Sequence, residues 1–188
     1  MSFVSGYAES VVKNHVQEIV NSSTITRVQK PLIVRSDRKT LEYFIEHVEE
    51  IVKQGRDFQK GELLLEPKGN GRYGIQIPSK NITGEFELME QTSDKATYMG
   101  QGNARSFLSF SGAIVLQVNY TTQHDEKGNY EDVRTAVHLK FDNAFFAILT
   151  KAVSPILIPK LDKLIAQFSN KTKNVIESAY TNKEWTQR

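Results

Sequence analysis

The 188-residue sequence contains no cysteine. That absence excludes disulfides, thiolate metal sites and cysteine nucleophiles together. No apolar run approaches the ~18 residues of a membrane-spanning helix. The opening Met1-Ser-Phe-Val-Ser-Gly6 has neither the basic nor the long apolar region of a secretory signal. The chain therefore reads as cytoplasmic. Histidine is scarce, and His15, His47, His124 and His138 lack the i, i+4 spacing that sets two nitrogens on one metal. Excess charge is scarce too, at +2, too little to argue for nucleic acid. No GxSxG nucleophile elbow occurs. No metal, cofactor or nucleic acid is expected.

What is present fits one ordinary domain. Hydrophobic residues make up 39% and charged residues 24%, values at which a packed core forms without staples. The charge is unevenly placed. Residues 151–188 hold seven Lys or Arg against Asp162, Glu177 and Glu184. Lys160, Lys163, Lys171 and Lys173 on that stretch are the candidate contacts for an anionic membrane surface or acidic partner, set against the ordinary reading of a solvated helix face.

Periodicity divides the chain into helices and strands. Tyr7, Ala8, Val11, Val12, Val16, Ile19 and Val20 recur at spacings of three and four, predicting an amphipathic helix over 5–20. Residues 25–34 are rich in β-branched side chains and interrupted by Pro31, which suits an edge strand. Asp37 offers an N-cap to a second helix that stops at Gly55. Glu49 and Glu50 on it read as a solvated face.

From 62 to 141 the period is two. Lys68-Gly-Asn-Gly71 reads as a hairpin turn, and the GxGxxG it opens is followed by a strand, so it is not a dinucleotide fingerprint. Strands follow around 84–90 and 96–101, then two longer ones joined by a loop over 123–129. In these, Ile114, Leu116, Val118 and Tyr120, and Val133, Thr135, Val137, Leu139 and Phe141, form one face; His138 alternates onto the other, where solvation is expected. A final helical stripe runs from Leu149 to Ala179, and residues 143–153 either form a separate segment or meet it at a kink near Pro155. The order predicts an α+β helix-grip fold: a curved antiparallel sheet of six to seven strands around a long C-terminal helix, with a cavity between them.

Ile82-Thr-Gly-Glu-Phe-Glu-Leu-Met89, Tyr98-Met-Gly-Gln-Gly-Asn103 and Phe110-Ser-Gly-Ala-Ile-Val-Leu-Gln117, followed by a strand running into a long amphipathic helix, carry a resemblance. The chain resembles the carbon monoxide dehydrogenase G-subunit family, within the START-like (SRPBCC, polyketide cyclase) superfamily of helix-grip folds. The resemblance covers roughly residues 25–170. It implies an apolar cavity and a non-catalytic role in binding or carrying a hydrophobic molecule such as a lipid or quinone. Two features depart from the family: the helix at 5–20, and Val52-Lys-Gln-Gly-Arg56 where a Pro-Gly motif is usual. The division is then 1–23 as N-terminal helix, 24–180 as START-like domain and 181–188 as tail.

The expected cavity walls are Phe86, Leu88, Tyr98, Ile114, Leu116, Val118, Tyr120, Val137, Leu139 and Phe141 on the sheet, with Phe146, Leu149, Val153 and Leu157 on the helix. Tyr98 and Tyr120 either orient a ligand or fill the core. The alternatives are a cyclase or aromatase on the same fold, using those tyrosines or a buried acid, and a membrane-docking or assembly protein. Trp185 reads as an interface anchor or a loosely packed tail residue.

Overall fold

The two-residue alternation becomes a single antiparallel sheet. The computed structural model describes residues 13–55, 58, 62–105, 109–142 and 144–182, the side chains of 105, 109–110 and 144–157 excepted. Helix α1 (13–21) precedes strands β1 (Ile25–Val28) and β2 (Leu32–Val34). Helices α2 (Arg38–Glu46) and α3 (Val48–Gln54) follow. Then come β3 (Leu64–Gly69), β4 (Arg72–Ile77), β5 (Ile82–Gln91), β6 (Lys95–Arg105), β7 (Ser109–Asp125) and β8 (Gly128–Phe141), and last helix α4 (Ala144–Asn182).

The strand order is β1-β8-β7-β6-β5-β4-β3, with β2 also paired to β8. β1 and β2 are two lengths of one edge, Ile25–Val28 lying opposite Leu139–Ala136 and Leu32–Val34 opposite Val133–Glu131. Pro31, which has no N–H to give a ladder, stands in the gap between them. The sheet thus has seven positions across, one of them split. Gly69, Asn70 and Gly71 carry φ of 80°, 53° and 71°, the left-handed run that a β3–β4 turn of this kind requires. The loop expected over 123–129 is instead a tight turn at residues 126–127, held by the Lys127 N–H donating to Asp125 Oδ1 at 2.9 Å.

The helix expected from Asp37 to Gly55 is two helices. Asp37 caps α2, accepting from the Thr40 N–H at 2.7 Å. The break at His47 has a cause that lies in the sheet. Tyr98 of β6 donates its hydroxyl to the Ile45 carbonyl at 2.6 Å, and Tyr73 of β4 donates to the Glu46 carbonyl at 3.1 Å. These bonds satisfy carbonyls at the end of α2, and the chain restarts as α3. Glu50, expected in solvent, is buried against Lys53 and Gln54.

α4 runs as one helix through Pro155 and Pro159. Each proline removes a single i→i−4 bond and leaves the rest of its turn bonded. The C-terminal half of α4 lies on the core with Val175, Ile176 and Ala179 buried against Leu41, Phe44, Tyr98, Tyr120 and Val133. The Arg35 N–H donates to Glu177 Oε1 at 2.7 Å and ties β2 to that half.

Curl in the sheet comes from a row of glycines. Gly84, Gly102 and Gly112 stand directly opposite one another on β5, β6 and β7. A Cβ on any of them would lie 2.4–2.8 Å from a carbonyl oxygen of the adjacent strand. Only glycine lets the strands bend this closely on the side that faces the helix.

The opposite face is covered as well. From α1, Lys13 reaches Glu90 of β5 at 3.3 Å and Glu18 reaches Lys140 of β8 at 3.0 Å. Beneath this span Thr97, Val115 and His138 are buried, as is Ile19 of the helix. His138 is therefore not solvated: its Nδ1 lies 3.2 Å from Thr26 Oγ1, and burial holds the imidazole below its ordinary range.

A pH dependence follows from that burial. The folded state takes up the His138 proton less readily than the unfolded chain, so stability is full above about pH 6.5 and falls as pH drops below it. The Glu18 and Glu90 carboxylates, held low first by hydrogen bonds from Lys140 and Lys95, lose their contribution only below their ordinary value of 4.5. Melts between about pH 7.5 and 5 are expected to show a decline that His138→Gln flattens. An unchanged decline in that variant places the proton uptake elsewhere.

Candidate functional site

Burial on the helix-facing side of the sheet is uneven among the described residues. Tyr98, Tyr120 and Val137 are buried. Phe86, Leu88, Leu116, Val118, Leu139 and Phe141 are only half-buried, and Ile114 in the middle of β7 is 36% exposed. Apolar side chains on the concave face of a central strand lose their water only when something covers them. Phe146, Leu149, Val153 and Leu157 lie on the first half of α4, and their side chains are outside the described residues; Trp185 is outside them altogether.

The gap between sheet and helix opens at the split edge. A cleft of about 560 Å³ lies between β1–β2 and α4, within the usual range for small-molecule sites. Leu32, Val133 and Thr135 form its sheet side, and Asp162, Lys163 and Ala166 line its helix side. Thr135 pairs with Val118 of β7, so this floor runs into the half-buried apolar row. One ion pair bridges the cleft. Arg27 Nε donates to Asp162 Oδ1 at 2.7 Å and Nη2 to Oδ2 at 2.6 Å, a bidentate fork joining strand to helix.

The two central tyrosines serve the frame. The Tyr98 hydroxyl holds α2 as described, and the Tyr120 hydroxyl donates to the Thr92 carbonyl at 2.9 Å. Burial pushes the Tyr98 phenol well above its ordinary range and raises that of Tyr120. Of the basic residues on α4, Lys171 pairs with Glu62 at 2.6 Å and Lys173 with Glu177 at 3.7 Å, while Lys160 and Lys163 are exposed. A second depression of about 710 Å³ lies across β5, β6 and β7 and is lined by polar residues including Thr83, Glu85, Gln101, Asn103 and Ser111. These alternate with the glycines and so belong to the face away from the core. No group of His, Asp or Glu suited to a metal occurs among the described residues, nor is any described helix long and apolar enough to cross a membrane.

Arg27, Lys30 and Asp162 are absent from the predicted walls. Their meeting depends on a pairing across 135 positions of sequence, which no local period reports. Pro31 was the one local sign, marking where the edge is interrupted.

A long C-terminal helix held on the concave side of a curled antiparallel sheet defines the helix-grip class of α+β proteins, and this chain has that fold. The crystal structure of a conserved protein from Geobacillus kaustophilus is similar to it over 83% of this chain and 97% of that one, with a TM-score of 0.55 and 10% identity. A norcoclaurine synthase point mutant from Thalictrum flavum, solved with a transition-state analogue, gives 0.49 and 13% identity over 82% of this chain and 96% of that one. The di-domain aromatase/cyclase BexL gives 0.44 and 10% over 93% and 60%. Likeness at such identities is one of fold. No protein-family model and no curated protein sequence matches the chain, so the finer resemblance to the carbon monoxide dehydrogenase G-subunit family rests on its glycine motifs.

Proposed function

We propose that the chain binds a hydrophobic small molecule, lipid-like or quinone-like, between the curled sheet and α4, and carries it without altering it. The observation behind this reading is the half-buried apolar inner row beside the 560 Å³ cleft. Burying such surface supplies about 25 cal/mol per Å², and a few polar groups at the rim set orientation. Catalysis has less to work with. Tyr98 and Tyr120 both donate their hydroxyl protons to main-chain carbonyls, and the acid at the cleft, Asp162, is held by Arg27. Proton transfer needs a group free to exchange its proton near neutral pH.

Native mass spectrometry of the purified protein, followed by organic extraction, tests the proposal. A stoichiometric apolar compound carried through purification, or a rise in Tm with members of a lipid and quinone panel, is the expected result. An empty protein with no shift across the panel overturns it.

A further inference from the structure

From the rim of the cleft we infer that the bound molecule is a single-chain amphiphile with an anionic head, a carboxylate or phosphate seated between β1–β2 and α4. This rests on the reading that the cleft takes an apolar molecule, and it assigns the chemistry of the polar end.

Charge at the rim is one-sided. The ionisable residues lining the cleft are Arg27, Lys30, Asp162 and Lys163. Arg27 and Asp162 neutralise each other through two hydrogen bonds of 2.7 and 2.6 Å. What remains is Lys30 on the strand side and Lys163 on the helix side, both exposed. Among the described residues neither meets an acidic partner, whereas Lys171 and Lys173 on the same helix each have one. Two ammonium groups on opposite lips of an apolar cleft complement one anionic head placed between them.

The location supports the same assignment. Lys30 lies in the segment between β1 and β2, next to Pro31, which has no N–H to give. Lys163 adjoins Asp162, which the Arg27 fork fixes to β1. The fork therefore holds the helix side of the rim at a set distance from the strand side. Below the rim the floor is Leu32, Val133 and Thr135, and Thr135 pairs with Val118 of the inner row, the direction in which an acyl chain would run. About 560 Å³ is room for one acyl chain beside its head.

Binding of laurate, dodecyl phosphate and dodecanol, each below its micelle concentration, tests the assignment by displacement of a fluorescent fatty-acid probe. Laurate and dodecyl phosphate are expected to bind more tightly than dodecanol. A preference between the first two identifies the natural head. Lys30→Glu/Lys163→Glu is expected to weaken the two anions about ten-fold and to leave dodecanol within about two-fold, since two contacts turn from attraction to repulsion. Raising salt from about 0.05 to 0.5 M is expected to weaken the anions alone. Both lysines are exposed, so the double variant should melt with wild type; Lys30→Gln/Lys163→Gln, which adds no negative charge, is expected to fall between the two.

The outcomes separate the two proposals. Dodecanol binding as tightly as laurate, with neither changed by charge reversal, overturns the anionic head and leaves apolar binding standing. No binding of any of the three overturns the amphiphile assignment, and the lipid and quinone panel then decides whether apolar binding stands. Affinity for anionic vesicles that exceeds affinity for monomeric laurate and falls with the charge reversal replaces the single-chain ligand by a membrane surface.

Discussion

Replacing Arg38 with methionine is expected to cost about 3–5 kcal/mol of stability, the range for stranding one member of a buried ion pair. Glu131 is 0% exposed. Its Oε1 accepts from the Thr122 hydroxyl at 2.8 Å, and its Oε2 lies 3.1 Å from Arg38 Nη2 without a well-aligned hydrogen bond. Arg38 also donates to the Ser93 carbonyl and lies over the Tyr120 ring at 4.7 Å. Nothing about helix formation asks for arginine there. It begins α2, where the helix dipole disfavours a cation, so its presence answers to Glu131. The pair is imperfectly satisfied, because Arg38 Nε is buried without a hydrogen-bond partner. Arg38→Met/Glu131→Gln should therefore regain more than half of the loss, since it removes the buried charge along with its partner. Urea unfolding of wild type, both single variants and the double variant closes the cycle. A loss below about 1 kcal/mol for Arg38→Met would mean that water reaches Glu131.

Elements set by local pattern were readable in the sequence, and elements set by distant contacts were not. Alternation placed Ile114, Leu116, Val118 and Tyr120 on one face because a strand cannot do otherwise. Pro31 marked the edge, and Gly69-Asn-Gly71 marked the hairpin, by backbone chemistry alone. The division of α2 from α3 escaped the period because its cause, hydroxyls from Tyr73 and Tyr98, lies on strands that follow later. His138 was misplaced for a related reason. Its alternation was right, but a helix more than a hundred residues away in sequence covers that face. The shared face of the inner apolar residues was legible from strand period, whereas the rim of Arg27, Lys30, Asp162 and Lys163 exists only once the edge strand meets α4.

The glycine row carries the other large expected effect. Gly112→Ala should lower stability by about 3 kcal/mol, the upper end of the overpacking range, or roughly 6–12 °C in Tm for a chain of this size. The added Cβ would stand 2.4 Å from the Lys140 carbonyl oxygen and 3.2 Å from Phe141 Cα. Both belong to the backbone of β8, so relief requires the strands to separate where the sheet bends. Gly74→Ala is the matched control. Its Cβ would meet chiefly the Lys68 Cε at 3.1 Å, the far end of a flexible side chain that can swing aside, and the change should be close to neutral. The contrast separates curvature from the general cost of altering a strand glycine. If Gly112→Ala melts with wild type, the sheet relaxes there freely and the row does not set its curl. If it melts low yet folds, the flattened sheet should also widen the space over Ile114 and Leu139, and binding of the proposed apolar ligand should be lost from the variant before the fold is.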